Sequence, residues 1–167
     1  AFDLSDRAPV NWAVAYGTKA QPEPVFMARS EDGTAQPITV EPVVTRQKAA
    51  PGEPSPNLMV YFGTGKNTLE SDKTNTASQS FYGVWDRRQG NLARNALAPQ
   101  KILFESVRTG GKGRGTDPNL NVDYQWKDDT HYGWYLDLPA TGERVVSDSK
   151  VRGDTVFFNT TIPDAAS

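Results

Sequence analysis

Residues 59–86, MVYFGTGKNTLESDKTNTASQSFYGVWD, decide how this chain is to be read. An apolar run enters the turn Gly63-Thr64-Gly65-Lys66, a polar stretch follows, and a second aromatic run closes at Asp86. FGTGK has the look of a loop that cradles a phosphate. A phosphate-binding P-loop, however, needs a glycine five residues before its second glycine and a hydroxyl residue after the lysine, so that backbone N–H groups converge on the phosphates. Here those positions hold Val60 and Asn67, and NTLESDKTNTASQS lacks the 3.6-residue apolar period of a helix whose N-terminus could hold an anion. The stretch therefore reads as strand, glycine turn, polar loop, strand, with Gly63 and Gly65 letting the chain leave a sheet and Lys66 facing solvent.

The same texture extends outward in both directions. Short runs rich in Val, Ile, Phe, Tyr and Trp, bounded by Gly, Pro, Asn or Asp, predict strands at 11–16, 24–29, 37–45, 57–63, 80–86, 101–107, 119–126, 133–139, 143–148 and 154–160. One short helix is predicted over NLARNALA at 91–98, ended by Pro99. RQKAAPGEPSPN at 46–57, with three prolines, and TGGKGRGTDPN at 109–119, with four glycines, read as exposed loops. The fold class is all-β, as a sandwich, barrel or propeller. A length of 167 residues with one uniform texture gives a single all-β segment over 1–167. AFDLSD at the start carries neither an initiator Met nor a signal-peptide pattern, which suggests a piece of a longer protein.

Composition narrows the chemistry. The absence of cysteine removes disulfides and thiolate catalysis, and a single histidine, His131, cannot build a multi-imidazole zinc site. With 18 basic against 20 acidic residues and a net charge of -2, nothing calls for nucleic acid as a partner. No run approaches the roughly 20 apolar residues of a membrane-spanning helix.

Four local patterns invite a functional reading. Asp117, Asn119, Asn121 and Asp123 alternate like calcium-loop ligands, with Asp128 at the twelfth position, but Val122 replaces the required glycine. Leu120, Val122, Tyr124 and Trp126 alternate as the apolar face of a strand, which spreads same-face residues too far apart to wrap an ion. His131, after Asp128 and Asp129, could be pictured as a carboxylate-oriented base, yet no nucleophile elbow accompanies it, so no catalytic residue is assigned. The tryptophans at 12, 85, 126 and 134 sit within strand patterns and fit core packing better than sugar stacking. Arg152-Gly153-Asp154 spells a tripeptide that resembles the integrin-recognition sequence of many adhesins, against the plain alternative of a turn before DTVFFNT.

In order along the chain, AFDLSD, PITVEPVVT, MVYFGTGK, QSFYGVWD, ILFESV, GWYLDLP, GERVVSD and DTVFFNTTIPD together resemble the C-terminal domain of the PilY/PilC family, tip-associated adhesins and biogenesis factors of bacterial type IV pili. The resemblance covers nearly the whole chain. It implies part of a modified β-propeller, about two to three four-stranded blades, and a non-enzymatic role in promoting pilus assembly, countering retraction and mediating attachment. It further implies pilins or other pilus components as partners and a location on the bacterial surface; a host-cell receptor is a further candidate partner, for which Arg152, Gly153 and Asp154 are taken as candidates from the tripeptide itself and not by alignment with the family. An isolated arc of a propeller would be prone to self-association. Family members can carry an aspartate-rich calcium loop, but no contiguous one is present here, so no cofactor or metal ligand is carried over and calcium is left to other parts of the parent. AFDLSD also resembles a blade phrase of quinoprotein-type propeller dehydrogenases, the alternative, although its Thr-Gly is missing and the expected Trp is not at the right spacing. A purely structural pilin-binding scaffold is a further alternative.

Overall fold

LMVYFG and SFYGVWD are rich in the β-branched and aromatic residues that suit a pleated surface, and they form β4 (Leu58–Gly63) and β5 (Ser80–Asp86). The two pair antiparallel from Leu58↔Asp86 to Gly63↔Phe81. The structure is a computed structural model describing residues 2–47, 57–108, 111–117, 119, 120, 122 and 131–163. β3 (Val43–Arg46) joins the outer side of β4, and β9 (Gly133–Asp137) joins β5, both antiparallel. β6 (Ala98–Gln100) adds a parallel strand beyond β9, giving the order β3-β4-β5-β9-β6.

Successive side chains on a strand point to opposite faces, and here both faces are covered. One carries Met59, Tyr61, Phe81, Trp85 and Trp134 against Val40, Leu138, Val145 and the hairpin residues Val151, Val156 and Phe158. The other carries Phe62, Tyr82, Val84 and Tyr135 against Phe26, Ala28, Leu92 and Leu97. The sheet is thus a middle layer, which is why β5 reads as an unbroken apolar run and not as an alternation. Phe81 and Tyr82, on opposite faces, are both fully buried.

Around it stand three two-stranded sheets: β1 (Phe2–Asp3) with β2 (Ala13–Val14), β7 (Ile102–Arg108) with β8 (Gly111–Thr116), and β10 (Lys150–Arg152) with β11 (Thr155–Phe157). Four strands in antiparallel order, β3-β4-β5-β9, covered on both faces and with no closed sheet among the described residues, fit a partial β-propeller, as the sequence led us to expect. The β7–β8 hairpin is tied back to the body by Arg114, which bonds Glu105 within the hairpin at 2.6 Å and the buried Glu143 outside it.

Several local expectations are corrected. NLARNALA makes no α-helix: Arg94–Ala96 is one 3₁₀ turn and Ala98–Gln100 is β6, because so short a segment cannot sustain a helix and β9 offers its backbone a ladder. Pro99 is tolerated there because β6 is the last strand of the sheet. TGGKGRGTDPN is not all loop, since Gly111–Thr116 pairs with β7. Residues 24–29 and 143–148 form isolated bridges, Phe26↔Leu92, Arg29↔Ala35 and Arg144↔Thr161, in place of strands. Their apolar side chains cover the central sheet while their backbones bond elsewhere. Of the strand expected at 119–126, Leu120 and Val122 lie outside any strand and most of the rest lies outside the described residues.

Candidate functional site

The Gly63–Lys66 turn does not leave its amides free for an anion. The Thr64 N–H donates to the Ser80 carbonyl at 2.9 Å, and the Gly65 N–H donates to the Pro37 carbonyl at 2.8 Å. Thr64, fully buried, accepts the Ser80 N–H on Oγ1 at 2.8 Å. Gly65 has φ +130, a conformation that disfavours any L side chain, and a Cβ there would fall 2.4 Å from Arg144 Cβ.

That arginine organises the polar loop. Arg144 is buried, and its guanidinium donates to four backbone carbonyls: Gly142 at 2.9 Å, Lys66 at 2.7 Å, Asp72 at 2.8 Å and Asn75 at 2.5 Å. Beside it, buried Asp72 accepts the Thr68 and Leu69 N–H groups, each at 2.9 Å, and pairs with Lys66 Nζ at 3.0 Å. Lys66 therefore does not simply face solvent, as the sequence suggested. The Leu69 N–H, the Lys66 ammonium and the Thr68 N–H hold the Asp72 carboxyl down to about 2. Loop 66–75 is thus folded around one internal cation and one internal anion, and its polar groups are engaged with the fold.

A second polar cluster lies at the same end of the sheet, where β5 begins and β9 ends. Ser80 Oγ donates to Asp137 Oδ1 at 2.6 Å, and Arg94 Nη2 donates to Asp137 Oδ2 at 2.5 Å. The Arg94 guanidinium lies 3.7 Å from the centre of the Tyr135 ring. Tyr82 Oη bonds Gln36 Oε1 at 2.5 Å and the Arg29 carbonyl at 3.0 Å. Arg94, Asp137, Asp72 and Arg144 were not marked out by the sequence. Each lies in an irregular segment or at a strand's end, and only the fold assembles its partners.

Arg152, Gly153 and Asp154 stand at the end of the β10–β11 hairpin. Arg152 faces Thr155 in the register, leaving Gly153 and Asp154 as a two-residue loop. Gly153 has φ +56 and Asp154 is not among the residues with positive φ, the pattern of a type II′ turn with glycine first. All three residues are exposed, and nothing lies within 4 Å of where a Cβ on Gly153 would be. The base of the hairpin is fixed: Val151 and Val156 pack on the core, and Phe158 stacks on Phe81 with centroids 4.0 Å apart.

His131 is half-buried, but Asp128 and Asp129 lie outside the described residues. Asp117 Oδ1 accepts the Asn119 N–H at 2.9 Å as a local turn, while Asn121, Asp123 and Asp128 lie outside the described residues. Among the described residues no group of three or more His, Asp or Glu side chains gathers as a metal site, and no helix is long and apolar enough to cross a membrane.

Residues 2–102 match the family model of the PilY1 beta-propeller domain. A type IV pilus biogenesis factor PilY1 homolog of Xylella fastidiosa is 30% identical over 168 residues, covering 97% of this chain and 11% of that protein. A second homolog of the same organism is 31% identical, covering 98% of this chain and 12% of that protein. The type IV pilus biogenesis factor PilY1 of Pseudomonas aeruginosa strain UCBPP-PA14 is 29% identical, covering 84% of this chain and 14% of that protein. The chain thus spans a small fraction of the length of the relatives it matches. No solved structure matches it.

Proposed function

The chain belongs to the PilY1 β-propeller family, and from that membership we propose that it serves type IV pilus biogenesis at the bacterial surface as a non-enzymatic assembly module. Its propeller arc favours pilus extension over retraction by holding pilus components. The observation that carries the proposal is the overlap of the family match with the layer on which the fold is built: four of its five strands, β3, β4, β5 and β6, fall within residues 2–102. The non-enzymatic character is supported by the use of the buried polar side chains Thr64, Asp72 and Arg144 to bond backbone groups.

The attachment part of the proposal rests on geometry, because Arg152–Asp154 lies beyond the residues that the family model matches. An exposed charged tripeptide on a type II′ turn offers a cation and a carboxylate to a receptor. The experiment is carried out in a bacterium expressing the parent protein from its own locus. Replacing Phe81 by Asp, which unfolds the central layer, abolishes surface pili; normal piliation would overturn the assembly role. Asp154→Glu leaves piliation intact and lowers attachment to host cells severalfold; unchanged attachment would leave the chain a pilin-binding scaffold without receptor contact.

A further inference from the structure

The β7–β8 hairpin takes no part in either core. Neither apolar cluster contains a residue of Ile102–Arg108 or Gly111–Thr116, and the hairpin forms a two-stranded sheet of its own. Its large apolar side chains Leu103 and Phe104 are 51% and 59% exposed instead of packed on the body. Within itself the hairpin is well made. Its ladder runs from Ile102↔Thr116 to Arg108↔Gly111, and Phe104 lies over Gly115, where an added Cβ would fall 2.3 Å from the ring. It is therefore one unit, distinct from the central sheet.

Among the described residues, a single side-chain tie joins this unit to the body: Arg114 Nη1 donates to Glu143 Oε1. The Glu143 side chain is 1% exposed and that of Arg114 27%. The other Glu143 oxygen accepts the Ala140 N–H at 3.1 Å, and Arg114 Nε donates to Glu105 within the hairpin at 2.6 Å. At the base, Lys101 separates β7 from β6 and its carbonyl accepts the Asp117 N–H at 2.9 Å. The ladder bulges just beyond, between Ile102 and Phe104. Residues at the ends of strands, next to a bulge, are where a chain absorbs a change of direction without breaking the sheets on either side.

A buried ion pair holds differently from apolar packing. Bringing Arg114 and Glu143 together gains Coulomb energy but strips water from both, and the two terms nearly cancel. Separation returns water to Glu143, while Arg114 keeps Glu105 as its partner. Two arrangements of the hairpin therefore lie close in free energy, whereas burial of Leu103 and Phe104 against the body would have favoured one of them strongly. We propose that the β7–β8 hairpin is a hinged arm, latched to the body by the Arg114–Glu143 pair and poised to swing as a unit about Lys101 and Asp117. The swing changes the direction in which Leu103 and Phe104 are presented and leaves the central sheet intact. It does not depend on the pilus role proposed above.

The test uses the ¹⁵N-labelled 167-residue chain in a weakly aligning medium, where residual dipolar couplings report the orientation of each element. In the wild type, relaxation dispersion at the amides of residues 102–108 and 111–116 shows one shared microsecond-to-millisecond exchange process that β4 and β5 lack. Arg114→Gln and Glu143→Gln each reduce the hairpin couplings about twofold or more relative to those of β4 and β5, while the hairpin keeps its strand chemical shifts. Glu143→Gln removes the buried charge itself, so it reports on the latch even where Arg114→Gln disturbs folding; unchanged β4 and β5 signals show that the sheet is intact. Because both substitutions open one latch, the double variant is no looser than either single one. Hairpin couplings that keep the wild-type orientation in the Glu143→Gln chain, a hairpin that melts instead of swinging, additive loosening in the double variant, or a wild type without shared exchange would each overturn the proposal.

Discussion

At the scale of single residues, Arg144 and Asp72 determine whether the polar loop after β4 has one structure. Arg144→Ala leaves the Lys66, Asp72 and Asn75 carbonyls without their common donor. An unpaired buried carbonyl costs about 1 to 3 kcal/mol, and of these three bonds only that to Asp72 is fully buried, so a loss of about 2 kcal/mol is expected in urea unfolding, with lost amide protection over residues 66–75. Arg144→Lys recovers little, since an ammonium lacks the planar fork that reaches several carbonyls together. Asp72 makes a pH prediction. Its folded-state value near 2 lies below the roughly 3.9 of an unfolded aspartate. Its contribution to stability is therefore present above about pH 4 and is lost as the pH falls toward 2. Asp72→Asn flattens the stability profile across that window, and an identical acid slope in the variant would contradict the role given to this carboxylate. The turn that resembled a phosphate loop is thus a packing device, with Gly65 making room for Arg144.

At the scale of elements, β5 is the strand on which both cores depend. Phe81 is fully buried, stacks on Phe158 and lies 6.0 Å from Trp134, ring centre to ring centre. Phe81→Ala costs about 3 to 5 kcal/mol by the usual cost of emptying a core aromatic. It also lowers amide protection at Val151 and Val156, because the hairpin that raises Arg152–Asp154 rests on that ring. Stability loss with unchanged protection in the hairpin would show that its base is fixed by other contacts. The strands legible in the sequence lie where their apolar runs lie: β4, β5 and β9, whose side chains fill the core, and β7 and β11, although Leu103, Phe104 and Phe157 stay exposed. The segments misread as strands, 24–29 and 143–148, contain the same residue types but act as covers on a sheet already complete. β8 escaped notice because Gly111, Gly113 and Gly115 carry no strand signal and owe their extended form to pairing with β7.

At the scale of the molecule, the described surface is that of an open arc. Phe2, Leu4, Val10 and Trp12 are exposed near the first hairpin, Leu103 and Phe104 on β7, and Phe157 and Ile162 near the last hairpin. Apolar side chains so placed on one chain favour association. We expect the isolated 167-residue chain to scatter light as a dimer or larger species at micromolar concentration, and replacement of Phe2, Val10 and Trp12 by Lys to reduce it toward a monomer. A compact wild-type monomer under the same conditions would show that these residues need no cover.

The sequence by itself determined the all-β class, the two central strands, the glycine turn between them and the family, because these depend on local composition and on the order of phrases along the chain. It also located Arg152–Asp154 in a turn, since a glycine between charged residues ahead of an aromatic strand has few other uses. Only the tertiary structure decided that this turn stands free on an anchored hairpin, that Arg144 and Asp72 fold the loop after β4, and that Arg114 reaches the buried Glu143. These arrangements join residues as far apart as Lys66 and Arg144, or Arg114 and Glu143. A charge on an irregular segment has no period to betray it, and its meaning depends on which distant carbonyl, carboxylate or ring the completed sheet brings to it.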